Sequence, residues 1–349
     1  MTRFATRLSI FILGTVAISG CCLVDENLCD CETAFNLEYE LRLITNMNTE
    51  ISGSLGSAED AHIAQAIRDY LDGVFTDRAH DVDLGFYDVV RDEYGKDSLR
   101  LRHETHIMGA SRADYTFFMP IRDYMHLAVA NIDGNGQVSL ENGDLCHSAR
   151  LAQTVRDTVG THATGLFSAR LAMGTGTGDS RSFHADLYIA NCAAALVIDT
   201  LGSHVRDIRV FASGFATAFN VCDSSFLYSY TPEMRADRLP LGKAGSCCFA
   251  IVSFPSQEPV QTRTVTETEE PFSSERSETA LWRYSVYTTM ADGTITETLL
   301  GIHTPLRAGQ LKILRAKALE NGAVQPDDPT VGISVALDWE PGAHHEIEL

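Results

Sequence analysis

After its first 20 residues, the sequence contains no apolar run of the roughly 18 residues that a membrane-spanning helix needs. It also has only two tryptophans, and its 27 Lys and Arg residues are outnumbered by 47 Asp and Glu residues. A chain with a formal net charge of −20 repels nucleic acid and anionic lipid surfaces. We therefore expect neither a membrane-spanning helix nor a nucleic-acid partner.

Sequence motifs for catalysis are missing as well. There is no Gly-x-Ser-x-Gly elbow, no His-Glu-x-x-His helix and no Walker A loop, and the glycines at 174–178 lack the Lys-Ser/Thr ending of a phosphate loop. Residues 131–137 resemble a calcium loop faintly but lack the ligand spacing of an EF-hand, so we predict a hairpin turn there. We expect no enzymatic activity, no cofactor and no metal site.

Nine cysteines are present, and their spacing does not fit a zinc site. A zinc site would need a Cys-x₂-Cys pair with a second such pair, which the sequence does not contain. Cys29 and Cys31 are too close in sequence to bridge each other easily. We predict buried or disulfide-bonded cysteines, although spacing alone does not define which residues pair.

The N-terminus has the pattern of a bacterial lipoprotein signal. Arg3 and Arg7 form a positive region, residues 8–18 are an apolar segment too short to span a bilayer, and Ile-Ser-Gly-Cys follows at residues 18–21. This lipobox predicts cleavage after residue 20 and attachment of a diacylglycerol to Cys21. An ordinary secretory signal cut near the same place is the alternative. Removing Arg3 and Arg7 leaves 25 basic against 47 acidic residues, a net charge of −22.

The residues that follow Cys21 indicate where the lipid would hold the protein. Residues 21–32 form a short acidic tether in which Asp25 and Glu26 resemble the export signals of surface lipoproteins. No Asp follows Cys21 directly, so the usual inner-membrane retention signal is absent. We predict an outer-membrane lipoprotein that faces the outside of the cell.

The rest of the sequence is dominated by short strand patterns. Alternation of apolar and polar residues predicts strands, and one amphipathic helix is expected at residues 57–75. The expected strands are residues 35–43, 83–90, 99–106, 115–120, 125–131, 185–199, 248–254 and 331–339, with a hairpin at 282–300. Many short strands with regular turns favour β-sandwiches over a parallel α/β fold.

The mature chain is long for one β-domain, and a Gly/Thr run at 174–178 is the best candidate for a linker. We predict an N-terminal β-sandwich domain at residues 33–178 and a C-terminal one at residues 179–349. A polar segment at residues 261–279 interrupts the second half.

The order of these elements resembles the fimbrial anchor lipoproteins of type V fimbriae, the FimB-like group. The resemblance rests on the lipobox with its cysteine-containing acidic stretch, the strand that begins at Phe35, and the Asp-Trp-Glu-Pro-Gly segment that ends at Gly342. Residues 82–95 and 124–131 match the family plan more diffusely. The Cys247-Cys248 pair and residues 261–279 have no counterpart in that plan.

The resemblance implies a mainly β fold of two tandem transthyretin-like β-sandwich domains with one or two short helices. It also implies a lipid-anchored outer-membrane protein that holds a fimbrial shaft and limits its growth. The implied partners are fimbrial shaft or accessory subunits, which would contact the protein by adding a β-strand. No catalytic residue is carried over, and Cys21 is the only functional residue that is.

Two questions remain open at this point. Residues 331–349 could be donated to a neighbouring subunit, or they could form a buried closing strand of the second domain. A surface glycan-binding lipoprotein of a nutrient-uptake system is the alternative function, since such proteins also carry tandem β-sandwiches on a lipid tether. Such modules usually display exposed aromatic side chains, whereas Trp339 lies in a core-like alternation and Trp282 is the only other tryptophan.

Overall fold

A computed structural model describes most of the chain. It covers residues 34–44, 55–76, 78–91, 93–108, 114–142, 144–174, 180–199, 202–242, 245–259 and 280–336. The predicted signal peptide and tether at residues 1–32, the linker candidate at 175–179 and the polar segment at 261–279 lie outside the described residues.

The described residues form a mainly β protein with one α-helix, as the sequence predicts. In the first half of the chain the elements are β1 (Ala34–Ile44), α1 (Ala61–Val74), β2 (Asp81–Arg91), β3 (Asp97–Met108), β4 (Asp114–Pro120), β5 (Tyr124–Ala130), β6 (Val138–Glu141), a short 3₁₀ helix (Cys146–Ser148), β7 (Arg150–Gln153), β8 (Thr158–Gly160) and β9 (Phe167–Met173). The second half comprises β10 (Ser180–Ile189), β11 (Cys192–Asp199), β12 (Val205–Ser213), β13 (Ala218–Asn220), β14 (Ser225–Leu227), β15 (Glu233–Arg235), β16 (Asp237–Leu239), β17 (Ser246–Ser253), β18 (Trp282–Met290), β19 (Ile295–Ile302), β20 (Leu311–Ala318), β21 (Val324–Pro326) and β22 (Gly332–Ala336).

The first sandwich is a single seven-stranded sheet that folds over on itself. Its strand order is β3-β2-β5-β9-β10-β1-β4. β1 and β5 are separated by two strands in that order, yet the Tyr39 hydroxyl lies 2.8 Å from Nε2 of His126. Likewise, the rings of Phe86 on β2 and Phe117 on β4 have centroids 6.3 Å apart. The β3-β2-β5-β9 part therefore packs face to face against the β10-β1-β4 part.

The first strand shows why this sandwich forms. Leu37, Tyr39 and Leu41 are buried, whereas the intervening residues 38, 40 and 42 are exposed. This alternation confirms the predicted strand with one buried face. β1 pairs in parallel with β10 and antiparallel with β4, so its apolar face lies in the middle of one layer.

Helix α1 is shorter than the sequence predicts at its N-terminal end. The Ser57 side chain and backbone both bond Asp60, which makes residues 57–60 a turn, so the helix begins at Ala61 and not at Ser57. Ile63, Ile67 and Leu71 recur at helical spacing and are buried. They belong to the same apolar cluster as the Ala193, Ala195 and Val197 side chains of β11, so the helix packs on that sheet.

The second sandwich consists of two separate sheets. A five-stranded sheet of order β16-β17-β11-β20-β21 packs on a six-stranded sheet of order β22-β19-β18-β12-β15-β8. β11 lies in the middle of the first of these sheets and is buried on both faces, since Leu196 and Ile198 face the six-stranded sheet while their neighbours face the helix. A strand buried on both faces needs a continuous apolar sequence, which β11 has.

A smaller sheet of order β14-β13-β7-β6 covers the outer face of β2 and β5. Leu151 and Phe219 of this sheet pack against Tyr87 and Leu127. A disulfide joins Cys146 and Cys222, whose Cα atoms are 5.7 Å apart. The free cysteines among the described residues, at 192, 247 and 248, are buried, so the prediction of buried or disulfide-bonded cysteines is confirmed for these five.

The prediction of one strand at residues 185–199 is wrong, because the chain leaves the first sandwich after Ile189 and enters the five-stranded sheet at Cys192. Asn191 lies at the break and is fully buried. Its side-chain Oδ1 accepts a hydrogen bond from the N–H of Leu166, and its Nδ2 lies 2.8 Å from Nδ1 of His162. These bonds fix the crossing between the two sheets.

The prediction of a hairpin turn at residues 131–137 is also wrong. β5 before this loop and β6 after it lie in different sheets. The loop is held by the buried Asp81 carboxylate, which accepts hydrogen bonds from the backbone N–H groups of Ile132 and Asp133. Asn131 has a φ of +67° at the start of the loop, a left-handed conformation that asparagine tolerates.

The hairpin at residues 282–300 is confirmed, with Gly293 at a φ of +95° in the turn between β18 and β19. The last predicted strand is confirmed only in part. β22 pairs with β19 along the edge of the six-stranded sheet, and Ile333, expected in the core, is 42% exposed. Residues 337–349 lie outside the described part of the chain.

The domain boundary between residues 178 and 179 stays a prediction. Two sheets contain strands from both sides of this boundary: β10, which follows it, pairs with β1, and β8, which precedes it, pairs in parallel with β15.

Candidate functional site

The sequence-predicted lipid attachment site, Cys21, lies outside the described residues. Within the described residues, no helix is both long and apolar enough to cross a membrane. The candidate functional features that the structure does describe are therefore the sheet edges, where backbone groups are available to a partner strand.

Most of the edges are too short to hold a partner strand. Among the described residues, four sheets give eight edge strands, and five of these have only three or four residues: β6, β8, β14, β16 and β21. The three longer ones are β3, β4 and β22. Because short edge strands offer few backbone groups, a stable strand contact is expected at one of the longer three.

Charged side chains protect the edge formed by β3. Its outward residues are Arg100, Arg102, Glu104 and His106, and the backbone N–H of Leu101 already donates to the carbonyl of residue 144. A partner strand would have to desolvate these charges, as at other protected sheet edges.

The charges of β3 are themselves tied to neighbouring elements. Arg102 and Arg122 both bond the nearly buried carboxylate of Asp88, at 2.8 and 2.7 Å. His106 lies between Asp83 and Asp133, with nitrogen-to-oxygen distances of 3.0 and 3.3 Å. Burial opposes protonation of His106, but its bonds with these two carboxylates outweigh that effect and raise its pKa.

The edge formed by β4 has a charged residue only at its first position, Asp114, and a proline only at its last, Pro120. Tyr115, Thr116, Phe117, Phe118 and Met119 carry no charge, and within the described residues β4 pairs only with β1. The inward rings of Tyr115 and Phe117 stack with centroids 6.4 Å apart, and Met119 is fully buried. The five central residues of β4 therefore form an uncharged stretch of high β-propensity, on an edge with no further ladder partner among the described residues, and such a stretch is a template for another strand.

Phe118 adds an apolar contact to this open edge. It points away from the sandwich core and is 72% exposed, among the highest values for large apolar side chains in the described part of the chain. An added strand that pairs with β4 would bring its own side chains against this ring. We call the strand with its exposed Phe118 the β4 edge.

The C-terminal candidate for strand donation begins as a paired strand. Residues 332–336 bond β19 in register and form an edge of the six-stranded sheet. These residues thus close the sheet as a paired strand, although Ile333 is exposed and the strand is not buried, whereas donation by residues 337–349 concerns residues outside the described part.

The buried thiols and imidazoles do not form a reactive set. Burial raises the pKa of Cys247 and Cys248 to about 12, so these thiols stay protonated at neutral pH. Burial also lowers the pKa of His126 to about 4 and of His162 to about 3. Among the residues described, no group of three His, Cys, Asp or Glu side chains is placed to hold a metal ion.

Sequence reasoning found the strand at residues 115–120 but not its position at an edge. The composition of the strand offered one signal of a possible contact surface: a run of aromatic and β-branched residues without charge. Such a run is unusual at a sheet edge, because proteins usually protect their edges with charged residues. Its place at the edge depends on pairing with β1, about 80 residues earlier in the sequence, which no local pattern reveals.

No family model and no curated protein matches this chain. Several solved structures are similar to it over most of its length. A candidate adhesin from Bacteroides ovatus is 10% identical with a TM-score of 0.48, covering 80% of this chain and 86% of its own. A candidate polysaccharide-binding protein from Bacteroides thetaiotaomicron is 9% identical with a TM-score of 0.47, covering 90% and 98%. The fimbrial anchor protein Mfa2 from Porphyromonas gingivalis is 10% identical with a TM-score of 0.43, covering 88% and 98%. Similarities at this level do not identify a family for the chain.

Proposed function

We propose that this protein is a cell-surface lipoprotein that anchors a fimbrial shaft to the outer membrane and limits its growth. The lipid on Cys21 holds the chain at the membrane, and a strand-mediated contact holds the fimbrial subunit. Because one acyl chain binds a membrane only marginally, a diacyl or triacyl cysteine is needed for stable attachment.

The observation that carries the proposal is the β4 edge. It offers five uncharged central residues with an exposed Phe118, whereas the other two longer edges are charged, as in β3, or shorter, as in the five-residue β22. Strand addition uses main-chain hydrogen bonds for affinity and side-chain contacts for specificity, and both are available here. In this mode the protein acts by binding, and we propose that it has no enzymatic activity.

A deletion strain tests the anchoring role. In cells that lack this protein we expect fimbriae to be shed into the medium and to be longer than those of the parent, because neither attachment nor length control remains. Electron microscopy of cells and immunoblots of the medium would measure both. Fimbriae that stay cell-bound at unchanged length would rule the role out.

A single substitution tests the membrane attachment. Cys21→Ser removes the thiol that the lipid needs, so the exported protein should move from the outer-membrane fraction to the soluble fraction. Detergent-phase partitioning of the variant and the parent gives the readout, with Cys22→Ser as the matched control that keeps the attachment site. A Cys21→Ser protein that still partitions with detergent would contradict the lipid anchor.

A further inference from the structure

A cleft of about 430 Å³ opens on the outer side of the first sandwich, where β9, β10 and β14 come together. Its size falls within the range of about 300–1,000 Å³ that small-molecule sites usually have. The β4 edge does not line the cleft, since β1 separates β4 from β10, and β1 and β10 together separate it from β9.

The floor of the cleft is formed by outward-facing residues of β9 and β10. Ser168 and Tyr188 are ladder partners. Arg170 and Asp186 lie two residues further along their strands, on the same outward face of the sheet. The residues that alternate with them, such as Ala169 and Leu187, point into the sandwich core. The cleft is therefore lined by polar and aromatic side chains together with the aliphatic residues Ala169, Leu171, Ile189, Ala190 and Ala308.

The ladder between the two strands stops at this point. Only the pairs 168 with 188 and 167 with 189 are formed, while β9 continues beside β5 and β10 continues beside β1. Within the described residues, the facing backbone edges beyond residues 168 and 188 have no ladder partner. The cleft thus offers backbone donors and acceptors in addition to side chains.

An exposed aromatic ring stands at one side of the cleft. Tyr188 is 60% exposed on a strand whose inward neighbours are buried. Phe226 also lines the cleft, and its ring packs on Phe219 at 4.8 Å and on Phe254 at 6.1 Å.

The charges in the cleft balance. Arg170 contributes one positive charge and Asp186 one negative charge, and Ser168 and Ser224 contribute hydroxyl groups. Asp186 also bonds Nε2 of His184 at 3.1 Å, which holds the carboxylate in position. A site for an anion would be expected to have an excess of cations, whereas paired charges and hydroxyls suit a neutral ligand with many hydroxyl groups.

We propose that this cleft binds a neutral sugar unit of a polysaccharide. The C–H face of a pyranose ring would lie against the Tyr188 ring, and its hydroxyl groups would bond the Arg170 guanidinium, the Asp186 carboxylate and the unpaired backbone groups. The cleft is open to solvent along the sheet, so a unit within a longer chain can enter as well as a chain end. This site is separate from the fimbrial contact and adds glycan binding to it.

Affinity gel electrophoresis of the full-length mature protein tests the proposal. Gels would contain mannan, xylan or starch as neutral probes and polygalacturonate as the acidic probe. We expect at least one neutral polysaccharide to retard the protein, and Tyr188→Ala to weaken this binding at least tenfold. Asp186→Asn should weaken it as well, and it serves as the second variant if Tyr188→Ala does not fold.

Tyr94→Ala is the matched control, because it removes another highly exposed aromatic ring, from the turn between β2 and β3, which does not line the cleft. It should bind like the parent, and circular dichroism should show that all variants are folded. Three results would overturn the proposal: no retardation by any of the neutral polysaccharides, retardation by polygalacturonate alone, or equal binding of Tyr188→Ala and Tyr94→Ala. Fimbria retention is measured separately, so failure here leaves the anchoring role untouched.

Discussion

Tyr39 and His126 show how one buried contact joins the two layers of the first sandwich. Nδ1 of His126 lies 3.0 Å from the carbonyl of Gly85, so this nitrogen carries the proton. Nε2 then accepts a hydrogen bond from the Tyr39 hydroxyl, and the imidazole ring stacks on Phe86 with centroids 4.3 Å apart. The neutral imidazole is thus bonded at both nitrogens within an aromatic core.

This arrangement predicts a loss of stability in acid. Burial lowers the pKa of His126 to about 4, whereas the unfolded chain has the ordinary value near 6.5. As the pH falls below 6.5 the unfolded state binds the proton first, and the stabilisation is lost progressively down to the folded-state pKa. Between pH 7 and pH 5 we expect His126 to account for a decrease of about 2 kcal/mol in the free energy of unfolding.

Urea denaturation at the two pH values measures this effect. His126→Phe should be less stable than the parent at pH 7, since it removes the hydrogen bonds with Tyr39 and Gly85, but its stability should fall less between pH 7 and pH 5. His147→Gln alters an exposed histidine and serves as the control. Equal pH dependence of His126→Phe and the parent would show that His126 is not the group responsible.

Arg315 is a second residue that joins distant parts of the chain. Its guanidinium bonds Asp60 at the start of helix α1 and Asp199 at the end of β11, both at 2.8 Å. The two carboxylates are 13% and 27% exposed, so removal of the cation would leave them poorly solvated. Arg315→Met should therefore lower the free energy of unfolding by about 1–2 kcal/mol, less than for a fully buried pair.

The matched control is Arg307→Met, which breaks a bidentate pair with Glu258 on the open surface. Exposed pairs contribute little because water screens them, so this variant should unfold at the same urea concentration as the parent. If both variants behave alike, the Arg315 bonds do not hold the helix to the sheet.

At the scale of elements, the β4 edge gives the prediction that bears on function. Phe118→Lys places a charge on the open edge, and charged edge residues hinder the addition of another strand. The side chain points to solvent, so the free energy of unfolding should change by no more than about 0.5 kcal/mol. Cells that carry the variant should retain fewer fimbriae, counted by electron microscopy, although the protein is folded and present in normal amounts.

Val155→Lys is the control for that experiment. Val155 is 79% exposed in the segment between β7 and β8, so it adds the same charge to the surface away from the edge. Normal retention with both substitutions would mean that the fimbrial subunit uses another surface, even if the deletion strain sheds its fimbriae.

Elements whose structure depends on local pattern could be predicted from the sequence. The alternation in β1 and the Asp-Gly turn of the 282–300 hairpin are local patterns that are sufficient to predict these two elements. The break at Asn191 could not be predicted, because its amide is fixed by Leu166 and His162 from other parts of the chain. For the same reason, the sequence identifies Cys21 by a local motif but does not reveal that β4 is an edge or that β9 and β10 separate to form a cleft.

At the scale of the whole molecule, strands from distant parts of the chain share sheets. β10 lies between β9 and β1, β13 pairs with β7, and β15 pairs with β8. The disulfide between Cys146 and Cys222 connects residues that lie on opposite sides of the predicted boundary at residues 178 and 179. Two independently folding domains would unfold in two separate transitions, whereas one cooperative unit that shares these sheets would unfold in a single transition.

We expect one cooperative unfolding transition, because separating the halves would expose the apolar faces of shared sheets and leave strands such as β8 and β10 without partners. Trp282 reports on the second sandwich, since its indole is buried and donates to the carbonyl of Thr304 at 3.0 Å. Urea unfolding followed by tryptophan fluorescence should therefore coincide with unfolding followed by far-ultraviolet circular dichroism.

The Cys146→Ser/Cys222→Ser variant should keep this coincidence, which would show that the sheets and not the disulfide couple the halves. A protease site inserted after Gly174 of the Cys146→Ser/Cys222→Ser variant gives a second readout. Without the disulfide, the two cleaved pieces are no longer joined covalently, and they should still elute together in size-exclusion chromatography. Two separate transitions, or pieces that elute apart, would instead support independent domains with a boundary near residues 178 and 179.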